Sequence, residues 1–209
     1  MVPLVDIGNR YAHIFLDGKI ISLEHSELFL KFAHKRIYYI NVKHALKVKL
    51  QAMKEWIDLE PYVFVKGSYE GMGIDRKVLL LSRGDGIYID AGSAITIDKF
   101  EDNQFQGGVI LPGIWTQKSS YKSISPYLSV EKLQRVDLNT LPKGSTQETL
   151  SYSIFAPIVA LVEKINSSNL PIFCCGGDGK MLASYIDGAI YSKELLFEGM
   201  RKVIKECRC

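Results

Sequence analysis

The chain has 209 residues, 47% hydrophobic and 23% charged, with a formal net charge of +3. That is an ordinary globular balance with enough apolar material for a core. The charge is too small, and no stretch basic and aromatic enough, to point to nucleic acid. The N-terminus enters a strand pattern with no basic, then apolar, leader, and the longest apolar run, Phe155 to Val162, is short and holds Pro157. Neither export nor a membrane span is expected, and the protein is expected to be cytoplasmic. Four cysteines in a chain this long do not make a disulfide framework.

Leu4 to Asp6, Tyr11 to Leu16 and Ile20 to Leu23 are three β-rich segments, with an Asp17-Gly18 turn between the second and third. Ile37 to Asn41 predicts a fourth strand. Lys43 to Asp58 predicts a helix, because Leu46, Leu50, Met53 and Ile57 recur at helical spacing. Its lysines, Lys43, Lys47, Lys49 and Lys54, read as a solvated face. Pro61 ends it, and Tyr62 to Val65 predicts another strand. Ile87 to Asp90, Ala94 to Asp98 and Phe105 to Leu111 then repeat the three-strand opening, with a turn at Asp102-Asn103.

Pro112-Gly113 opens a helix from Ile114 to about Lys122. A longer helix, about Thr146 to Asn166, has a capping-box start at Ser145 and Glu148 and an inward face of Leu150, Ile154, Ile158, Leu161, Val162 and Ile165. Pro171 to Cys174 is a strand ending in Gly176-Gly177-Asp178-Gly179. A short helix from Lys180 to Tyr185 follows, and a last one from about Ser192 to Glu206. The two halves share one plan at domain scale. The expected division is 1–83 and 84–209, with a cleft between the lobes.

Two segments look like copies of one device. Asp6-Ile7-Gly8-Asn9 and Asp90-Ala91-Gly92-Ser93 each end an apolar strand in Asp-x-Gly and lead into another. The Asp can hold a hydrated Mg²⁺ through oxygen, and the Gly lets backbone amides approach phosphate. Asp-x-Gly is also common in plain hairpins, so the duplication carries the inference. Asp98 reads as a surface residue. In Gly73-Ile74-Asp75-Arg76, a loop motif after the glycine-rich stretch that includes Tyr69, the pair is either a surface ion pair or a base beside an anion-binding guanidinium. Gly107 to Gly113 suits either close approach to a ligand or tight packing between strands, and Gly176 to Gly179, opening a helix, suits either a nucleotide or an ordinary left-handed turn. No Walker A sequence, Rossmann fingerprint, nucleophile elbow or histidine metal spacing is present.

In this order, the motifs resemble those of the type III pantothenate kinases, of the acetate and sugar kinase/Hsp70/actin superfamily. The family's D-x-G-N-[TS] stands here as Asp6 to Arg10. G-x-D-R is intact at Gly73 to Arg76, and D-x-G-[TS]-A-x-T-x-D runs from Asp90 to Asp98. G-G-x-I-x-P-G is intact from Gly107 to Gly113. The resemblance implies an α/β protein of two tandem ribonuclease H-like domains, the actin-like ATPase fold. It implies ATP with Mg²⁺, and pantothenate phosphorylated to 4′-phosphopantothenate at the first step of coenzyme A synthesis.

By the same resemblance Asp6, Ile7, Gly8, Asn9, Arg10, Tyr11, Ala12, His13 and Ser93 contact ATP, and Asp75 is the proton acceptor. Tyr69, Gly73, Ile74, Asp75, Arg76 and Thr146 hold pantothenate, and Asp90 holds a monovalent cation, K⁺ or NH₄⁺. A homodimer is implied as well. Arg10 departs from the family's hydroxyl residue, and the chain is short for the family. A nucleotide-binding regulator on the same scaffold, or a kinase of another small alcohol, are the alternatives.

Overall fold

The computed structural model describes residues 2–207. The chain divides into two compact units, one of residues 1–84 with 194–209, the other of residues 85–193. Each is built on a five-stranded mixed sheet.

In the first unit β1 (Leu4–Ile7), β2 (Ala12–Leu16) and β3 (Lys19–Leu23) form an antiparallel meander. The turn after β2 has Asp17 at φ 48° and Gly18 at φ 76°, the left-handed pair that a tight hairpin needs. The chain then crosses through α1 (His25–Phe32) to β4 (Ile37–Asn41), parallel to β1, and through α2 (Lys47–Gln51) to β5 (Trp56–Asp58), parallel to β4. The sheet order is β3-β2-β1-β4-β5. α3 (Ile74–Leu80) completes this stretch.

The second unit repeats the plan. β6 (Gly86–Ala91), β7 (Ala94–Glu101) and β8 (Gln104–Pro112) form the meander, with Asp102 at φ 54° and Asn103 at φ 55° in its second turn. α4 (Ile114–Ile124) and α5 (Thr146–Ile165) lead to β9 (Ile172–Cys175), parallel to β6. α6 (Gly179–Ala183) leads to β10 (Ile190–Tyr191), parallel to β9. From the meander outward the order is β8-β7-β6-β9-β10, strand for strand that of the first sheet.

Three expectations fail in the first unit. The helix expected over residues 43–58 is only a 3₁₀ turn (His44–Leu46) and α2, and residues 56–58 are the edge strand β5. Trp56 stacks on Phe29 of α1, with ring centroids 5.2 Å apart and planes 3° apart, and its Nε1–H donates to the Phe32 carbonyl. That anchor, with parallel pairing to β4, overrides helical periodicity. The strand expected at Tyr62–Val65 is a 3₁₀ turn (Glu60–Tyr62) and a loop. Helix α1, absent from the expectation, packs Leu28, Phe29 and Phe32 against Val5, Ile7 and Ile14.

In the second unit Asp98 is fully buried. It lies on β7 opposite Tyr88, itself fully buried, on the face of the sheet away from Ile95 and Ile97. The last helix, α7 (Leu195–Cys207), belongs to the first unit although its sequence follows the second. Phe197, Met200 and Val203 share a core with Leu4, Phe15, Tyr38 and Val78. Gly199 is required there, because a Cβ would come within 2.1 Å of the Val78 carbonyl on α3.

Candidate active site

The first Asp-x-Gly segment is the β1–β2 hairpin. Asp6 is half-buried near the end of β1, and Asn9, Arg10 and Tyr11 are exposed. The Gly8 amide donates to the Tyr11 carbonyl at 3.0 Å, and a Cβ on Gly8 would sit 3.1 Å from that oxygen. Ala12 is buried in the core. His13 is half-buried beside Ser22, with Nδ1 and Oγ 2.8 Å apart, and burial holds its pKa below the usual histidine value.

Because β1 and β4 run parallel with Ile7 opposite Asn41, the segment after β4 emerges beside the loop. The Val42 amide donates to the Ile7 carbonyl at 3.1 Å. The Asn41 side chain brackets Lys43, accepting from its amide at 3.1 Å and donating to its carbonyl at 3.3 Å. Lys43 Nζ then donates to the Asn9 carbonyl at 3.0 Å, and His25 Nε2 lies 2.9 Å from the Gly8 carbonyl. Lys43 is therefore not part of a solvated face, whereas Lys47, Lys49 and Lys54 are exposed.

The second segment is the β6–β7 hairpin, built the same way. The Gly92 amide donates to the Ala94 carbonyl at 2.9 Å, and Asp90 faces Thr96 across the pair. The Thr96 hydroxyl is buried with no hydrogen-bond partner. The turn after β9 is the counterpart of the segment after β4, and its Asp178 amide donates to the Ala91 carbonyl at 3.0 Å. Gly176 has φ +85°, and a Cβ there would meet the Ala91 carbonyl and Asp90 Oδ1 at 2.5 Å. Burial raises the Asp178 pKa. Gly113 closes the other side, its amide donating to the Ser93 carbonyl at 3.2 Å where a Cβ would lie within 2.5 Å of the Gly92 and Ser93 carbonyls. Gly113 thus meets the tight-packing reading of its segment, and Gly176 the left-handed turn expected as the alternative for its own.

Gly73 to Arg76 is not a free loop but the first turn of α3, with Gly73 as its N-cap. Asp75 Oδ1 accepts from the Arg76 amide at 2.8 Å and occupies the space a Gly73 side chain would need, 2.5 Å from a Cβ there. Arg76 is only 6% exposed, and its guanidinium donates to the Tyr69 hydroxyl at 2.7 Å. A solvent-screened surface pair is therefore excluded for this arginine. Tyr69 itself is half exposed. Thr146 is the first residue of α5, after the N-cap Ser145, whose Oγ accepts from the Glu148 amide. Glu148 reaches the Gly144 amide at 2.8 Å, one residue before the position a capping box predicts.

The predicted residues thus fall into two groups. Asp6 to His13, Tyr69 and Gly73 to Arg76 lie in the first unit, and Asp90, Ser93 and Thr146 in the second. A cavity of about 740 Å³ in the second unit, lined in part by Arg135, Asp137, Tyr152, Glu163 and Tyr185, contains none of them. His25, Asn41 and Lys43 were missed, and the internal duplication is the signal that could have found them. The sequence offers a nucleotide reading for the Gly176–Gly179 segment after the fourth strand of the second half, and its counterpart after β4 carries no glycine-rich signal to prompt the same reading.

The family model for type III pantothenate kinase matches residues 32–168. A type III pantothenate kinase of Campylobacter jejuni (strain RM1221) is 44% identical over 204 residues, covering 97% of this chain and 96% of the relative. One from Wolinella succinogenes is 36% identical over 206 residues, covering 98% and 97%. This chain belongs to the type III pantothenate kinases.

A crystal structure of a C. jejuni protein described as a conserved Baf family transcriptional activator superposes with a TM-score of 0.87 at 41% identity, covering 99% of both chains. Spiroplasma citri MreB 5 superposes at 0.51 with 10% identity, covering 100% of this chain and 97% of that one, a likeness of fold alone. The type III pantothenate kinase chain thus has the actin-like ATPase fold, with its ribonuclease H-like sheet order in each unit. No helix among the described residues is long and apolar enough to cross a membrane.

Proposed function

We propose that this kinase transfers the γ-phosphoryl group of ATP to the primary alcohol of pantothenate, giving 4′-phosphopantothenate for coenzyme A synthesis. The observation that carries the reading is the intact Gly73-Ile74-Asp75-Arg76 turn, with a carboxylate fixed at the start of α3 and a buried arginine beside it. Asp75 accepts the proton of the attacking alcohol, an effect of about 10²–10⁴ in rate. Arg76, Tyr69, Gly73, Ile74 and Thr146 bind and orient pantothenate. Arg76 offers the acid a guanidinium already oriented by Tyr69. Phosphoryl transfer is loose, so positioning and charge neutralisation carry the larger share of the acceleration.

Asp6 to His13 and Ser93 hold the nucleotide. Asp6 supplies a carboxylate for Mg²⁺, directly or through water. Asp90 supplies one for K⁺ or NH₄⁺, and the orphaned Thr96 hydroxyl at the facing strand position fits a hard cation there. Among the described residues no three of His, Cys, Asp or Glu converge as a metal-binding group. Either cation would therefore complete its shell with backbone, hydroxyl, water or phosphate oxygens. When bound, these cations offset phosphate charge. We further propose a cytoplasmic homodimer.

The 41% identical structure described as a transcriptional activator favours a second reading, a nucleotide-binding regulator without catalysis. The G-x-D-R turn argues against it, because a regulator has no use for a base. ATP consumption measured with pantothenate, sugars, acetate or no acceptor separates the readings. Turnover with pantothenate and K⁺ is expected. ATP binding without turnover on any acceptor supports the regulator, and turnover on a different alcohol reassigns the substrate.

A further inference from the structure

We infer that His25 and Lys43 form a latch that holds the first phosphate loop in its nucleotide-binding orientation, Lys43 being a positioning residue for ATP. The inference rests on the reading of Asp6 to His13 as the ATP loop.

The hydrogen-bond partners fix the chemistry. His25 Nε2 lies 2.9 Å from the Gly8 carbonyl, which only accepts, so Nε2 carries the proton. His25 Nδ1 lies 3.3 Å from Lys43 Nζ, and an ammonium only donates, so Nδ1 presents its lone pair. Lys43 spends a second N–H on the Asn9 carbonyl at 3.0 Å. Two consecutive carbonyls of the loop, Gly8 and Asn9, are thus drawn to one side by two connected side chains.

A trans peptide is planar, and its N–H points opposite to its C=O. The structure has no cis peptide among the described residues. Holding the Gly8 and Asn9 carbonyls toward His25 and Lys43 turns the Asn9 and Arg10 amides the other way. The Gly8 amide is already engaged by the Tyr11 carbonyl. The latch therefore sets the direction of the peptides on either side of Asn9, within the loop read as binding ATP. The ammonium also places a positive charge against the loop.

Nothing in the latch floats. Lys43 is held at both its amide and its carbonyl by Asn41. Asn41 ends β4 opposite Ile7 of β1. His25 is the first residue of α1, which is seated on the sheet by Leu28, Phe29 and Phe32. The loop is thus referenced to the sheet through strand β4 and through helix α1.

The test uses the full chain with Lys43→Met, Lys43→Arg and His25→Ala. Steady-state kinetics are taken for each substrate, and binding of a non-hydrolysable ATP analogue is measured by calorimetry. Loss of a charge-assisted hydrogen bond predicts that Lys43→Met raises the ATP KM and the analogue Kd by about 10- to 100-fold, with the pantothenate KM within about twofold. Lys43→Arg, which keeps a donor for the Asn9 carbonyl, recovers most of that loss. His25→Ala shifts the same two constants by less, and the double variant loses less than the sum, since both act on one loop. An analogue Kd within twofold of wild type in a Lys43→Met protein of native melting temperature overturns the latch. So does an equal rise in both KM values. If Lys43→Met does not fold, His25→Ala decides by the same criteria. A wild-type chain that ignores pantothenate sinks the substrate assignment, yet the calorimetric arm still decides on the latch.

Discussion

Asp75 bears the greatest chemical demand in the proposed reaction, because an alcohol is a poor nucleophile until its proton has a destination. Its carboxylate is held by the amide of the next residue and lies where Gly73 has no side chain. Asp75→Asn keeps the shape and that hydrogen bond but cannot accept the proton. The expected result is a kcat lower by about 10²- to 10⁴-fold, with far-UV circular dichroism and melting temperature unchanged. Near-full turnover would remove the base assignment. The motifs that carry Asp75, Asp6 and Asp90 stand out in the sequence because each is short and of fixed spacing, which is why these residues are the ones proposed for the chemistry. The contacts of Lys43 were not legible there, because its ammonium meets the Asn9 carbonyl, 34 residues back along the chain, and the His25 ring. Nor was the burial of Asp98, which depends on what covers its face of the sheet.

At the scale of elements the same contrast holds. The meanders and their turns at Asp17-Gly18 and Asp102-Asn103 were readable, since alternation and left-handed turn residues are local signals. Helix α5 was readable to within a residue because it is long and capped by Ser145. The stretch from Lys43 to Asp58 misled, since its period belongs to a 3₁₀ turn, a short helix and a strand set end to end, ordered by Trp56 and its tertiary contacts. The contact of α3 with α7 was also illegible, as it depends on a single missing Cβ. Gly199→Ala drives a methyl group toward the Val78 carbonyl, a backbone atom that cannot rotate away. We expect a loss of about 1–3 kcal/mol in urea unfolding. A change below about 0.5 kcal/mol would mean that α3 and α7 separate without penalty. The carboxylate of Asp75 rides on α3, so kcat should fall as well.

The whole molecule is one plan used twice; the repeated three-strand opening makes the duplication legible from sequence, and the shared sheet order bears it out. The allocation of α7 was not legible, since the helix follows the second unit in sequence yet supplies Phe197, Met200 and Val203 to the interior of the first. A chain ending at Lys193 should therefore expose Leu4, Phe15 and Tyr38. Limited proteolysis should cut residues 1–84 of that truncated chain readily while leaving residues 85–193 protected. Equal resistance across both units would contradict the packing.

The first sheet's dependence on the last helix also sets a schedule for biogenesis. On the ribosome residues 1–84 emerge early with all five strands of their sheet but without α7, whereas residues 85–193 are a contiguous unit. The segment synthesised second can therefore fold first, and the N-terminal strands must wait, unfinished and exposed, until α7 has been made.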